Sequence, residues 1–234
     1  MKASTGANSF PDTKGLIEDV FHEIRSILSS ILSSVELIEL YGERAVAGDK
    51  ISRQTGSIKL QVIELEFLMQ NVRIIQHILN KTITAKRLPT NVALLFRNLM
   101  RDDRYAPLFA SWVKVEAHHT REVAYVDEFL LKQLVLNLLF RMRRNSLDKT
   151  IPSLVCRFEA DQIVITCTYT ANAADQSFSS SIKNFEPGNL QAFLDQRICG
   201  LISYVAELHE GSFDIAAAGE GQIEMLVRIP YDVA

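Results

Sequence analysis

The stretch Val20 to Leu40, VFHEIRSILSSILSSVELIEL, constrains the fold more than any other. Apolar residues recur at Ile17, Val20, Phe21, Ile24, Ile27, Leu28, Ile31, Leu32, Val35 and Ile38, the spacing of an amphipathic helix and not the alternation of a strand. His22 sits at the edge of that stripe beside Glu23, and Arg25, Ser26, Ser29 and Ser33 lie above it on its own face. A histidine among small polar residues is exposed, and an unperturbed imidazole titrates near ~6.5. Such a ring is suited to accept a phosphoryl group. Taken alone, the stretch fits an idle histidine on a helical bundle better, because most surface histidines do nothing.

A second long helix is expected from about Ile51 to Thr82, after the short turn GERAVAGDK. Ile58, Leu65, Val72 and Leu79 are spaced as one heptad row, and Val62, Leu68 and Ile75 form its companion. The first helix is expected to start at a cap on Asp12 or Thr13 and to stop at Gly42, so the pair makes an antiparallel hairpin. One hairpin cannot bury a stripe along the whole length of both helices. A second copy can, which predicts a homodimer with a four-helix bundle.

The helical pattern breaks at Ala85 to Thr90, AKRLPT, which reads as a domain junction around Pro89. Beyond it the spacing predicts a helix near Val92–Arg101, alternating SWVKVEAHH, a short strand EVAYV, and a strongly apolar helix capped by Asp127. Strands SLVCRFEA and QIVITCTYT follow, then a loop from Ala171 to Ser181 and a helix from about Asn189 to Leu208. Strands SFDIAAAG and QIEMLVRIP close the chain. This order predicts an α+β sandwich with helices on one face of a mixed sheet. The expected organisation is a tail over 1–12, a helical hairpin over 13–84 and the sandwich over 90–234.

Composition excludes several classes. A net charge of -3 gives no basic face for nucleic acid, and Arg141-Met-Arg-Arg144 reads as the solvated end of a helix. Cys156, Cys167 and Cys199 lie in apolar runs without CxxC spacing, so they read as small core residues in a reducing compartment. No apolar run approaches the ~20 residues that span a bilayer, and MKASTGANSF lacks a signal-peptide core, so a cytoplasmic protein with no membrane partner is expected. His77, His118, His119 and His209 have no metal-ligand spacing; His209 reads as a helix C-terminus favoured by the dipole.

Taken together, the two halves resemble the dimerisation and ATP-binding domains of bacterial sensor histidine kinases, over about 215 residues. His22-Glu23-Ile24-Arg25-Ser26 is similar to the family's H box. The resemblance implies that His22 accepts the phosphoryl group, that Glu23 is the adjacent acid/base, and that Ser26 is the polar residue one turn on; the usual proline after it is Ile27. The run Asp127 to Leu139 resembles the start of the N box, and LISYVAELHEGSFDIAAAGEGQIEMLVRIP resembles the last helix and strand pair of that GHKL-type, Bergerat-type ATPase fold.

The departures bear on function. Four residues after Asn137, where the family's asparagine holds Mg²⁺, stands Arg141, whose guanidinium has no lone pair for a cation. The adenine-binding Asp-x-Gly-x-Gly motif is replaced by Tyr169-Thr-Ala-Asn-Ala-Ala, and the phosphate loop is reduced to Ile198-Cys-Gly200-Leu201. A phosphorylatable helix beside a degenerate nucleotide site predicts a histidine phosphotransferase of a two-component phosphorelay. It is similar to the ChpT-type histidine phosphotransferases, although His22-Glu-Ile-Arg25 is closer to kinase wording. On this reading the protein needs no cofactor, since a response-regulator receiver domain brings its own Mg²⁺. Receivers are the expected partners, together with an upstream hybrid kinase. Arg25, Ser29, Ser30 and Ser33 form the expected receiver-docking face. The alternatives are a dimeric pseudokinase scaffold that binds receivers or a kinase without passing phosphate, and the core of an active sensor kinase.

Overall fold

The computed structural model describes residues 13–42, 48–80, 82–105, 113–118, 123–171, 190–219 and 221–231. The chain divides into two compact units, Met1–Ile83 and Thr84–Ala234.

The first unit is a helical hairpin of α1, Thr13–Gly42, and α2, Gly48–Leu79. Lys50 Nζ lies 5.1 Å from the centre of the Tyr41 ring near the turn. The same distance back along each helix, Gln61 Nε2 donates to Ser30 Oγ. These two contacts set the antiparallel register. The hairpin buries Ile27 and Ser34 of α1 and Phe67, Asn71, Ile74, Ile75 and Ile78 of α2. Phe67, Asn71, Ile74 and Ile78 recur at helical spacing, so one face of α2 carries the intramolecular contact. Of the heptad rows expected for α2, Ile75 is buried with this face, whereas Ile58, Leu65, Leu68 and Val72 are only half-buried and Val62 is exposed; the Leu79 side chain lies outside the described residues. Both helices differ little from expectation, α2 starting and ending about a turn earlier. The proposed cap Asp12 lies outside the described residues.

The second unit begins with a feature that the sequence reading passed over. AKRLPT runs into strand β1, Leu88–Asn91, which pairs antiparallel with β3, Val123–Val126. Pro89 sits opposite Tyr125. Tyr125 N donates outward to Tyr231 O, so Pro89 and Tyr125 face each other without exchanging bonds, and the missing N–H leaves no ladder bond unmade. Helix α3, Val92–Arg101, is capped by Asn91, whose Oδ1 accepts from Leu94 N at 2.8 Å. Strand β2, Lys114–His118, helix α4, Glu128–Asn145, strands β4, Ser153–Phe158, and β5, Gln162–Thr170, helix α5, Leu190–Leu208, and strands β6, Ser212–Gly219, and β7, Gln222–Pro230, complete the unit. The main sheet has the order β2-β4-β5-β7-β6, with β2 parallel to β4 and all other pairs antiparallel. This is the α+β architecture expected from the sequence.

The central strands alternate, apart from Val164 of β5, which is buried between Ile163 and Ile165. Leu154, Cys156 and Phe158 on β4, Ile163, Ile165, Cys167 and Tyr169 on β5, and Ile223, Met225, Val227 and Ile229 on β7 are buried. They form one face with Leu201, Ile202, Val205 and Ala206 of α5 and most of α4. The opposite face is a shallow trough of about 570 Å³ lined by Ser153, Arg157, Thr166, Thr168, Glu224 and Arg228 among others. Tyr231 stacks on Phe158 with ring centres 6.2 Å apart, and its carbonyl accepts from Tyr125 N, fastening the ribbon to the end of β7. No helix among the described residues is long and apolar enough to cross a membrane.

Candidate functional site

Three faces of α1 can be told apart. Ile27 and Ser34 point into the hairpin seam. Phe21, Leu28 and Leu32 form an exposed apolar stripe, 61%, 50% and 60% accessible. Between them lies the polar face: Ser26, Ser29 and Ser33, all exposed, are four, seven and eleven residues after His22. At about 100° per residue, these serines fall within roughly 40° of His22 around the axis. His22 and Glu23 belong to α1, while their side chains lie outside the described residues. Arg25 is exposed at the margin of the same face. Ser30, grouped with the docking serines in the sequence reading, is turned toward α2, where Gln61 Nε2 donates to its hydroxyl at 2.5 Å.

The nucleotide-like side is built on α4. Asp127 caps it, with Oδ1 accepting from Leu130 N at 3.0 Å. Gln133, Asn137, Arg141 and Asn145 recur every fourth residue as one polar stripe, and all four are buried. Asn137 Nδ2 donates to Gln133 O at 2.8 Å, so the amide is committed within its own helix. Arg141 is fully enclosed, not the solvated helix end expected from Arg141-Met-Arg-Arg144. The spacing of the stripe was legible in the sequence; its burial was not, because four polar residues on one helix face ordinarily face water. The Tyr169 side chain is buried on the helix side of β5. The end of α4 is laced to the end of β5: Leu147 N donates to Thr170 O at 2.8 Å, and Ser146 bridges Ala171.

Gly200 lies inside α5, and Ile198-Cys-Gly-Leu201 is helical, not a loop. A Cβ at Gly200 would meet no atom within 4 Å. The glycine is therefore not required by a close backbone approach. A Mg-nucleotide needs an oxygen ligand for the cation and open backbone N–H groups for the phosphates. The residues described do not fit that group: Asn137 and Arg141 are enclosed, Arg141 presents only donors, and the segment at Gly200 has its N–H groups inside a helix.

His209 also differs from expectation. It is 1% exposed, and Asp127 N donates to its Nε2 at 3.0 Å while Nδ1 lies 2.8 Å from Val205 O. Burial lowers its proton affinity, against the pull of the Val205 carbonyl. A cation favoured by the helix dipole is replaced by a neutral, doubly hydrogen-bonded ring. The exposed His77 Nδ1, in contrast, lies 3.0 Å from Thr82 Oγ1 past the end of α2.

No protein-family model matches this sequence, and no curated protein matches it. The fold is shared with solved structures. The histidine kinase AdeS of Acinetobacter baumannii superposes with a TM-score of 0.56 at 12% identity, over 91% of this chain and 98% of that one. A histidine kinase from Burkholderia phymatum STM815 gives 0.50 at 14%, over 92% and 98%. A structure described as a bacterial phosphotransferase gives 0.51 at 14%, over 91% and 93%. Identities this low establish likeness of fold, which is that of a histidine kinase core.

Proposed function

We propose that the protein is a histidine phosphotransferase of a two-component phosphorelay, a dimer that relays phosphate between His22 and receiver aspartates without using ATP. The observation that carries this reading is the contrast between the two sides of the molecule. The serine face of α1 is open, while Asn137 and Arg141 of the nucleotide-like site are both enclosed.

The chemistry asks little of this chain. A receiver's acyl phosphate is attacked at phosphorus by the neutral imidazole; the P–O bond to the aspartate breaks, a P–N bond forms, and the ring sheds a proton. The reverse step regenerates the acyl phosphate, and the Mg²⁺ for both directions belongs to the receiver. Glu23 is assigned the orientation of the imidazole and Ser26 the polar position one turn on. Ser29 and Ser33, being small, admit a receiver helix close to the α1 backbone. The exposed stripe of Phe21, Leu28 and Leu32 supports the dimer, since a second copy covers apolar surface that one hairpin leaves in water. Buried thiols and the absence of a spanning helix among the described residues are compatible with a cytoplasmic setting.

The test is to incubate the protein with a phosphorylated receiver and to map acid-labile phosphate by mass spectrometry. Label on His22 supports the relay. Receiver binding with no label under any donor would instead identify a non-catalytic scaffold, and Mg-ATP-dependent self-labelling would identify a kinase.

A further inference from the structure

The chain enters the second unit through Lys86 and Arg87, just past the boundary between Ile83 and Thr84. Lys86 N donates to Asp127 Oδ2 at 2.8 Å. Arg87 Nη2 donates to Leu208 O at 2.8 Å and to Glu210 Oε1 at 3.1 Å. The strap is thus tied to the start of α4 and the end of α5. Those two ends are joined by one ring, because Asp127 N donates to His209 Nε2 and His209 Nδ1 faces Val205 O. A backbone N–H can only donate and a carbonyl can only accept. The bonding therefore requires the neutral tautomer with its proton on Nδ1 and a lone pair on Nε2.

We propose that His209 is a proton-operated latch: neutral, it pins the start of α4 to the end of α5 and so holds the Lys86 end of the strap, and protonated, it releases that tie. A proton arriving from solvent on Nε2 meets the Asp127 N–H head-on, and the bond that positions Asp127 is lost. Asp127 uses its two carboxylate oxygens on Leu130 N and Lys86 N, so displacing this residue releases the strap at Lys86 and leaves it held through Arg87 alone. The charged groups around the ring are Asp127 at the α4 cap, Arg87 and the exposed Lys86 on the strap, and Glu210 beside it, which Arg87 engages; Glu207 is held by Ser203 on the same helix. Burial disfavours the imidazolium most, and Arg87 adds to that, while the Val205 carbonyl and the Asp127 carboxylate oppose it. The latch is therefore closed at neutral pH and opens only in acid.

Amide hydrogen exchange of the full chain, corrected for intrinsic rates and measured from pH 7.5 to 5, tests this together with an NMR titration of the His209 ring. The expected result is a fall of tenfold or more in the protection of the Lys86 and Asp127 amides, in step with ring protonation, with Ile165 in the central strand unaffected. His209→Gln should abolish this pH dependence. Protection that is constant across the range, or a ring that stays neutral until the whole unit unfolds, overturns the proposal. So does the same pH dependence in His209→Gln, which would place the switch at Asp127. Should that variant fail to fold, the wild-type ring and amide titrations decide alone.

Discussion

Asn137 Nδ2 donates to Gln133 O at 2.8 Å, one turn back along the same helix, and the side chain is fully buried, away from a ligand arriving from solvent. One turn further on, Arg141 is enclosed where a cation ligand would be needed. Titrating Mg-ATP into the protein in a calorimeter should therefore give no Mg²⁺-dependent binding up to millimolar nucleotide. A micromolar dissociation constant would restore a kinase reading.

Two glycines of the last helix and its exit should respond in opposite directions to alanine. Gly200 sits in α5 with open space around its Cβ position, so Gly200→Ala gains helix propensity of up to about 1 kcal/mol. The melting temperature of the second unit should rise by about 2–4 °C. At Gly211, a Cβ would lie 1.9 Å from the Arg228 carbonyl oxygen. Gly211→Ala must displace backbone and should cost about 1–3 kcal/mol or more. Denaturation midpoints of the two variants on either side of wild type would confirm both assignments.

The sequence pattern revealed most of the second unit because its strands are half-buried and alternate, and its helices are capped by residues of the right kind, Asn91 and Asp127. β1 was missed because Pro89 reads as a breaker, and only its partner strand shows that nothing is lost there. The exposure of Ser26, Ser29 and Ser33 was legible from spacing, since serines at helical intervals need no tertiary information. The enclosure of Arg141 and the double hydrogen bonding of His209 were not legible, because both depend on elements far away in sequence. Ser30 shows the same limit: only the register against Gln61 separates it from its neighbours.

Cysteine chemistry offers a check on the core. Burial pushes the Cys156 thiol up to about 12, and burial together with Cys156 raises Cys167 further. Neither presents thiolate at pH 8, whereas Cys199 is half-buried on α5. Brief iodoacetamide treatment of the folded protein, followed by peptide mapping, should modify Cys199 first and leave the other two intact. Equal labelling of all three would mean that the sheet's helix-covered face is open.

The dimer can be tested at residues whose change leaves one hairpin undisturbed. Leu28 and Leu32 are 50% and 60% exposed in the single chain, so Leu28→Glu and Leu32→Glu disturb little packing within it. Sedimentation at micromolar concentration should show a wild-type dimer and variants shifted to monomer with unchanged helicity. A wild-type monomer would remove the bundle from the account.

The most direct measurement is phosphate transfer from a labelled receiver to wild type, His22→Ala, Glu23→Ala and Ser33→Asp. The account predicts no label on His22→Ala with dimer and melting temperature nearly unchanged, slower but complete transfer with Glu23→Ala, and weakened docking with Ser33→Asp. Transfer that survives His22→Ala, or phosphate mapped to another histidine, would contradict it.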